Sequence, residues 1–134
     1  MFGSFDISTS ALVANRTRLD AIAANIANAD IPVDPNSPNV PFSERVVHFA
    51  AGDPVSGSSL GVHVAEITPR NSFRLEYEPE NIRCRDAAGY VRYANIDPVA
   101  QQANAMLATR SYDANLAAIE AAKSMIDASL RIIA

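Results

Sequence analysis

The sequence predicts an α+β chain. Long N- and C-terminal helices pair as a coiled coil and carry a small β-rich middle region, reached through a proline-rich linker. Three observations carry this. Large apolar residues recur at seven-residue spacing near both ends. Four of the eight prolines crowd into Pro32, Pro35, Pro38 and Pro41. Between the linker and the closing helix, the pattern changes to short runs rich in β-branched residues. The chain divides into an N-terminal helix (1–30), a linker (31–44), a β-rich region (45–96) and a C-terminal helix (97–134).

The first helix is read over Asp6 to Ala29. Phe5, Leu12, Leu19 and Ile26 stand seven apart, with Ile22 and Ala29 between them. That is the narrow stripe of a coiled coil, not the broad apolar face of a globular helix. Arg16 and Asp20 form an i,i+4 pair on the polar side, a minor contribution. Asn25 and Asn28 lie three apart and share a face. Two readings of them stand: Asn28 helps end the helix while Asn25 is solvated, or both amides bond a neighbouring backbone at a packed junction. Proline then stops the helix. With Asp34, Asn36, Ser37 and Asn39, the four prolines make an extended, semi-rigid linker.

The middle region offers four strands: Arg45 to Ala50, Gly61 to Ile67, Phe73 to Tyr77 and Gly89 to Tyr93. Phe73, Leu75 and Tyr77 share one face. The turns between strands carry Gly52-Asp53-Pro54, Gly57, Pro69-Arg70-Asn71, Pro79 and Ala88-Gly89.

The last helix runs from Asp97, a favourable N-cap, through Pro98 at the first helical position. No proline or glycine follows, and alanine recurs throughout. At ~1.5 Å per residue the rod is roughly 55 Å long. Leu116, Ile119, Ile126, Leu130 and Ile133 form a heptad-like seam that Tyr112 extends upstream. Asp113, Glu120 and Asp127 make a separate acidic stripe. The N-terminal companion is about two turns shorter, so part of the seam is left for other molecules.

Composition narrows the function. The net charge is −4 and the 11 basic residues are scattered, which argues against nucleic acid or anionic lipid as partner. One cysteine, Cys84, excludes an internal disulfide and a cysteine zinc cluster. No apolar run approaches the ~18 residues of a membrane span, and MFGSFDISTS lacks the features of a secretory signal. Gly57-Ser58-Ser59-Leu60-Gly61 matches a nucleophile-elbow pattern but lacks the preceding strand and following helix that motif needs. His48 and His63 fall in strands without cysteine or paired carboxylate nearby. Glu76, Glu78 and Glu80 read as a solvated face. The expectation is a protein without catalytic residues, cofactor or metal.

Asn25-Ile26-Ala27-Asn28-Ala29-Asp30 at the end of a heptad helix resembles the signature of the bacterial flagellar rod and hook axial proteins. The likeness extends along the chain. It takes in Pro41-Phe42, Val46-Val47-His48-Phe49, Tyr77-Glu78-Pro79, Gly89-Tyr90-Val91 and Asn95-Ile96-Asp97. It ends with Arg110-Ser111-Tyr112-Asp113-Ala114-Asn115 and Lys123-Ser124-Met125. The long proline insert and short β region are most similar to the proximal rod subunits. Gln101 departs from the family pattern, which has glutamate there, and Ile31 stands in place of threonine.

This resemblance implies a structural subunit that polymerises with copies of itself and other rod proteins into a hollow shaft across the periplasm. It also implies passage through the flagellar type III export apparatus without a cleaved signal peptide, and no membrane insertion of its own. The alternatives are another axial subunit or a soluble helical adaptor. The subunit interfaces are expected at Leu12, Leu19, Ile22, Asn25, Ile26 and Asn28 of the first helix. In the last helix they are expected at Arg110, Tyr112, Asn115, Leu116, Ile119, Lys123, Ile126 and Leu130.

Overall fold

A computed structural model describes residues 2–55 and 57–133, the side chains of Phe2, Ser4 and Ile133 excepted. Ile133, the last residue of the expected seam, therefore has its side chain outside the described set. The elements are helix α1 (Phe2–Asn28), strands β1 (Glu44–Asp53), β2 (Ser58–Arg70), β3 (Phe73–Tyr77) and β4 (Tyr90–Ala94), and helix α2 (Pro98–Ile133).

The caps follow the sequence. Asp97 Oδ1 accepts the N–H groups of Val99 at 2.9 Å and Ala100 at 3.3 Å, so two donors at the start of α2 are satisfied at once. At the far end of α1, Asn28 Nδ2 donates to Ala24 O at 2.7 Å. The second asparagine thus serves its own helix and bonds no neighbouring backbone. The shared-junction reading fails for Asn28 because its amide turns back along α1.

The β-rich region is two separate two-stranded antiparallel sheets, β1–β2 and β3–β4. In the first, Glu44 faces Arg70 and Ala51 faces Val62. This hairpin is longer than the alternation suggested, and it lies along α1. Gly61 marks its closest approach: with φ at +92°, an added Cβ would meet Ser10 Oγ at 2.7 Å. There Val62 N–H donates to Ser10 Oγ at 3.1 Å. In the second sheet Phe73 faces Ala94 and Tyr77 faces Tyr90. Ala29, Ala94 and Ile96, with Phe42 against them, form a core where the end of α1 meets β4.

The expected linker is a strap for its first few residues. Val33 N–H donates to Arg92 O at 2.8 Å, and Pro32 bridges to Tyr93. Proline has no N–H to give, so Val33 supplies the donor that lays this stretch along β4. Asp34 then accepts from Asn36 N–H at 2.9 Å and from Arg83 Nε at 3.1 Å.

The two helices run antiparallel, since Asn15 Nδ2 donates to Ser111 Oγ at 3.2 Å and Asn25 Nδ2 to Gln101 Oε1 at 3.3 Å. The residues buried on α1 are Ala14, Asn15, Ala21, Ile22, Asn25 and Ala29; on α2 they are Gln101, Ala108 and Ala122. This differs from the expected heptad seam. Leu12 and Leu19 are only half-buried, while Ile26 and Leu116 are exposed. At roughly 100° per residue, Leu12 and Leu19 lie about 160° round α1 from the buried Ala14 and Ala21, and Ile26 lies about 60° from Ala29. On α2 the expected seam holds in part: Tyr112, Ile119 and Ile126 are half-buried on the same side as the buried Ala108.

Candidate assembly interface

Asn25 is the polar centre of the fold at 1% exposure. Its Oδ1 accepts Arg45 N–H at 2.8 Å and its Nδ2 donates to Arg45 O at 3.0 Å. One side-chain amide thus completes the ladder position that a neighbouring strand would fill, and pins β1 to α1. Gln101, also buried, accepts from Asn25 and donates through Nε2 to Glu44 Oε1 at 2.8 Å. Glu44 in turn pairs with Arg70 at 3.1 Å. The departure from the family pattern at Gln101 has a local reason. A glutamate there would set one carboxylate against another, whereas the amide has a proton to donate.

Asp30 closes the same motif and reaches Arg74 Nη2 at 2.9 Å. The Arg74 guanidinium also pairs with Glu76 at 2.9 Å and lies over the Tyr93 ring at 5.3 Å from its centroid. It ties the end of α1 to the second sheet. The sequence reading missed Arg74, Glu44 and the bonding role of Gln101. An arginine within the alternating run Phe73–Tyr77, on the side opposite its apolar residues, was the available signal for Arg74.

Tyr93 donates to Glu78 Oε1 at 2.9 Å. Burial, then this bond and the Glu78 charge, pushes its phenol above the ordinary range. Asp34 is held below the ordinary carboxylate value by the Asn36 N–H first and the Arg83 side chain second.

The ring nitrogens of His63 and His48 bond Gly52 O at 2.7 Å and Thr68 Oγ1 at 2.9 Å. Ser59 sits exposed on β2, and the element that follows in the chain is strand β3, not a helix. Among the described residues no group of His, Cys, Asp or Glu could hold a metal ion. No helix among them is long and apolar enough to cross a membrane.

The molecule instead leaves apolar surface open. Helix α2 has 36 residues and α1 has 27, so α2 runs nine residues longer. With Asn15 level with Ser111 and Asn25 with Gln101, Phe2 comes level with Ser124, and α2 overhangs from Met125 onward. On that overhang Met125 is 60%, Leu130 59% and Ile132 86% exposed. Leu130 lies in line with the α1-facing residues Tyr112, Ile119 and Ile126, but no turn of α1 reaches it.

A second open face lies on the other side of α2. Val99, Met106, Leu107, Met125 and Ile132 are all exposed there, among exposed alanines 103, 114, 117, 118, 121 and 128. At roughly 100° per residue they cover the sector opposite the α1 contact, and Arg110 is the charged residue within it. The spacing of large apolar residues shows a single stripe because alanine dilutes this second face. Of the remaining expected interface residues, Ile22 and Asn25 are buried inside the subunit. Asn28, Tyr112, Asn115, Ile119 and Ile126 are half-buried, and Lys123 is exposed. They are not brought into one patch.

A long helix that is apolar on two opposite sides, with one side covered by its own chain, defines a subunit of a larger assembly. Comparison with known proteins gives that assembly a family. Residues 5–32 match the family "Flagella basal body rod protein". Residues 87–132 match "Flagellar basal body rod FlgEFG protein C-terminal". The flagellar basal-body rod protein FlgC of Aquifex aeolicus is 37% identical over 128 residues, 95% of this chain and 92% of that protein. The FlgC protein of Escherichia coli O157:H7 is 38% identical over 123 residues (91% and 90%). That of Bacillus subtilis is 34% identical over 146 aligned positions (98% and 97%). The chain belongs to the FlgC family of flagellar basal-body rod proteins. It is a structural subunit of the basal-body rod and not an enzyme.

Proposed function

We propose that this rod subunit polymerises helically, with copies of itself and with other rod proteins, into the hollow shaft that transmits motor torque and conducts exported subunits. The terminal helices form the inner tube as a coiled-coil pair, and the two β sheets lie outside it. The observation that carries this reading is the two-sided α2, whose outer face and overhang find no partner within the described chain. A heterologous contact repeated between such subunits does not close on itself and so builds a filament.

The expected interface residues act in two ways. Ile22, Asn25 and Asn28 shape the subunit. Leu12, Leu19, Ile26, Arg110, Tyr112, Asn115, Leu116, Ile119, Lys123, Ile126 and Leu130 meet its neighbours. The exposed stripe of Asp113, Glu120 and Asp127 faces the channel lumen or arginines of a neighbour. The shaft stands in the periplasm. The subunit reaches it through the type III export apparatus without a cleaved signal peptide, as the resemblance to axial proteins implies.

The test is deletion in the bacterium that encodes the protein. Cells without it are expected to lack rods, hooks and filaments, and a plasmid copy restores all three. Complete basal bodies in the deletion strain would reject the reading.

A further inference from the structure

Between the first half of α1 and the β1–β2 hairpin runs an open groove of ≈ 640 Å³. Its floor is mostly apolar and includes Val13, 63% exposed, and Leu60, 58% exposed. Asp6 and Asp53 lie along it. Neither helix of the same subunit enters it, because α2 packs on the neighbouring face of α1. We propose that this groove receives the α2 overhang of a second copy of the chain. The proposal rests on the rod-subunit reading and adds to it which surface of one copy meets which surface of the next.

Three features match. The overhang is apolar and uncovered through Met125, Leu130 and Ile132. One charge pair fits: Arg131 is the cation of the overhang, and the groove carries the carboxylates of Asp6 and Asp53. The lengths also fit. Nine residues of helix span roughly 14 Å, and the α1 wall from Gly3 to Thr17 spans roughly 21 Å.

The register follows from the helix pair. The middle of the groove wall, near Ser10, is level with Leu116 of its own α2, and the middle of the overhang is Ser129. A neighbour displaced along the helix direction by 13 residues, roughly 20 Å, brings its overhang alongside the groove. Its Met125 then comes level with Val13 and Ala14, and its Arg131 with the turn after Asp6. The same displacement repeated from copy to copy gives an open row, not a closed dimer.

Cysteine cross-linking in assembled basal bodies tests this. The chain carries Val13→Cys and Met125→Cys together in a Cys84→Ser background, and is produced in the deletion strain. Within one subunit the two positions stand roughly 18 Å apart along the helix pair, beyond the ~7 Å Cα separation that a disulfide allows. Oxidation is therefore expected to yield a ladder of multimers of this chain. Each single-cysteine chain is expected to lack the ladder.

Motile cells whose oxidised basal bodies show only monomer overturn the groove assignment and leave the rod reading intact. A band joining Val13→Cys to a different rod protein also overturns it, since another occupant then fills the groove. Failure of the unaltered chain to restore rods overturns both readings. A second arm uses charge: Asp6→Arg and Arg131→Glu are each expected to reduce swimming, and the double variant to recover it. Two single variants that swim normally count against the proposal.

Discussion

Asn25→Ala tests the junction at which helix pair and hairpin meet. The substitution removes three hydrogen bonds: two to the Arg45 backbone and one to Gln101. Gln101 is 5% exposed, so its Oε1 is stranded in a place water does not reach. A buried acceptor left unpaired costs about 1–3 kcal/mol. The Arg45 groups are only partly buried and recover some hydration, so each lost bond there counts for about 0.5–1.5 kcal/mol. Since the Gln101 bond is long at 3.3 Å, the low end applies to it, and the total is about 3 kcal/mol.

The assay is urea unfolding of the purified chain. With a slope of ~2 kcal/mol per M, the midpoint is expected to fall by about 1.5 M. Hydrogen exchange at the Arg45 amide is expected to accelerate more than at amides in the middle of α2. Asn28→Ala is the internal control. It removes one bond within α1 and replaces asparagine by a better helix former, so its effect is expected within about 0.5 kcal/mol of zero. A loss below about 1 kcal/mol for Asn25→Ala would refute the reasoning. So would equal losses for both asparagines.

Other outcomes follow from the same geometry. Leu19→Asp and Ile126→Asp are each expected to block rod assembly and motility while export continues, and normal swimming would contradict this. Leu130→Asp is expected to change the subunit's own stability by no more than about 0.5 kcal/mol, because the side chain is exposed, and yet to impair assembly. Hydrogen exchange of the free subunit is expected to be fast from Met125 onward and slower between Gln101 and Ala122, where α1 covers α2; uniform protection to the end would contradict the overhang. Asp34 ionises more readily in the folded chain, so its contribution to stability is present above the ordinary carboxylate pKa and is lost as pH falls through the lowered value. A carbon-detected titration is expected to give Asp34 a midpoint below 3.8, moving up in Arg83→Ala.

The sequence by itself determined the element order, the start of α2 at Asp97-Pro98 and the presence of strands between the helices. These are local matters: a capping side chain, a proline that lacks a donor and a period of two are properties of neighbours in the chain. It also determined the family, because the motif around Asn25 and the later blocks stand in one order along the whole length. Tertiary structure decided which stripe of each helix is inside. Heptad spacing says that Leu12, Leu19 and Leu130 share a face with others of their kind. It does not say whether the covering surface belongs to the same molecule. Within the molecule Ile22 is buried beside Ala14 and Ala21, and Tyr112, Ile119 and Ile126 are half-buried toward α1, whereas Leu130 stands uncovered on the overhang. Tertiary structure also separated the two asparagines. Their spacing is one thing, but only the path of β1 past α1 gives Asn25 a strand backbone to hold, while the Asn28 amide bonds Ala24 O of its own helix.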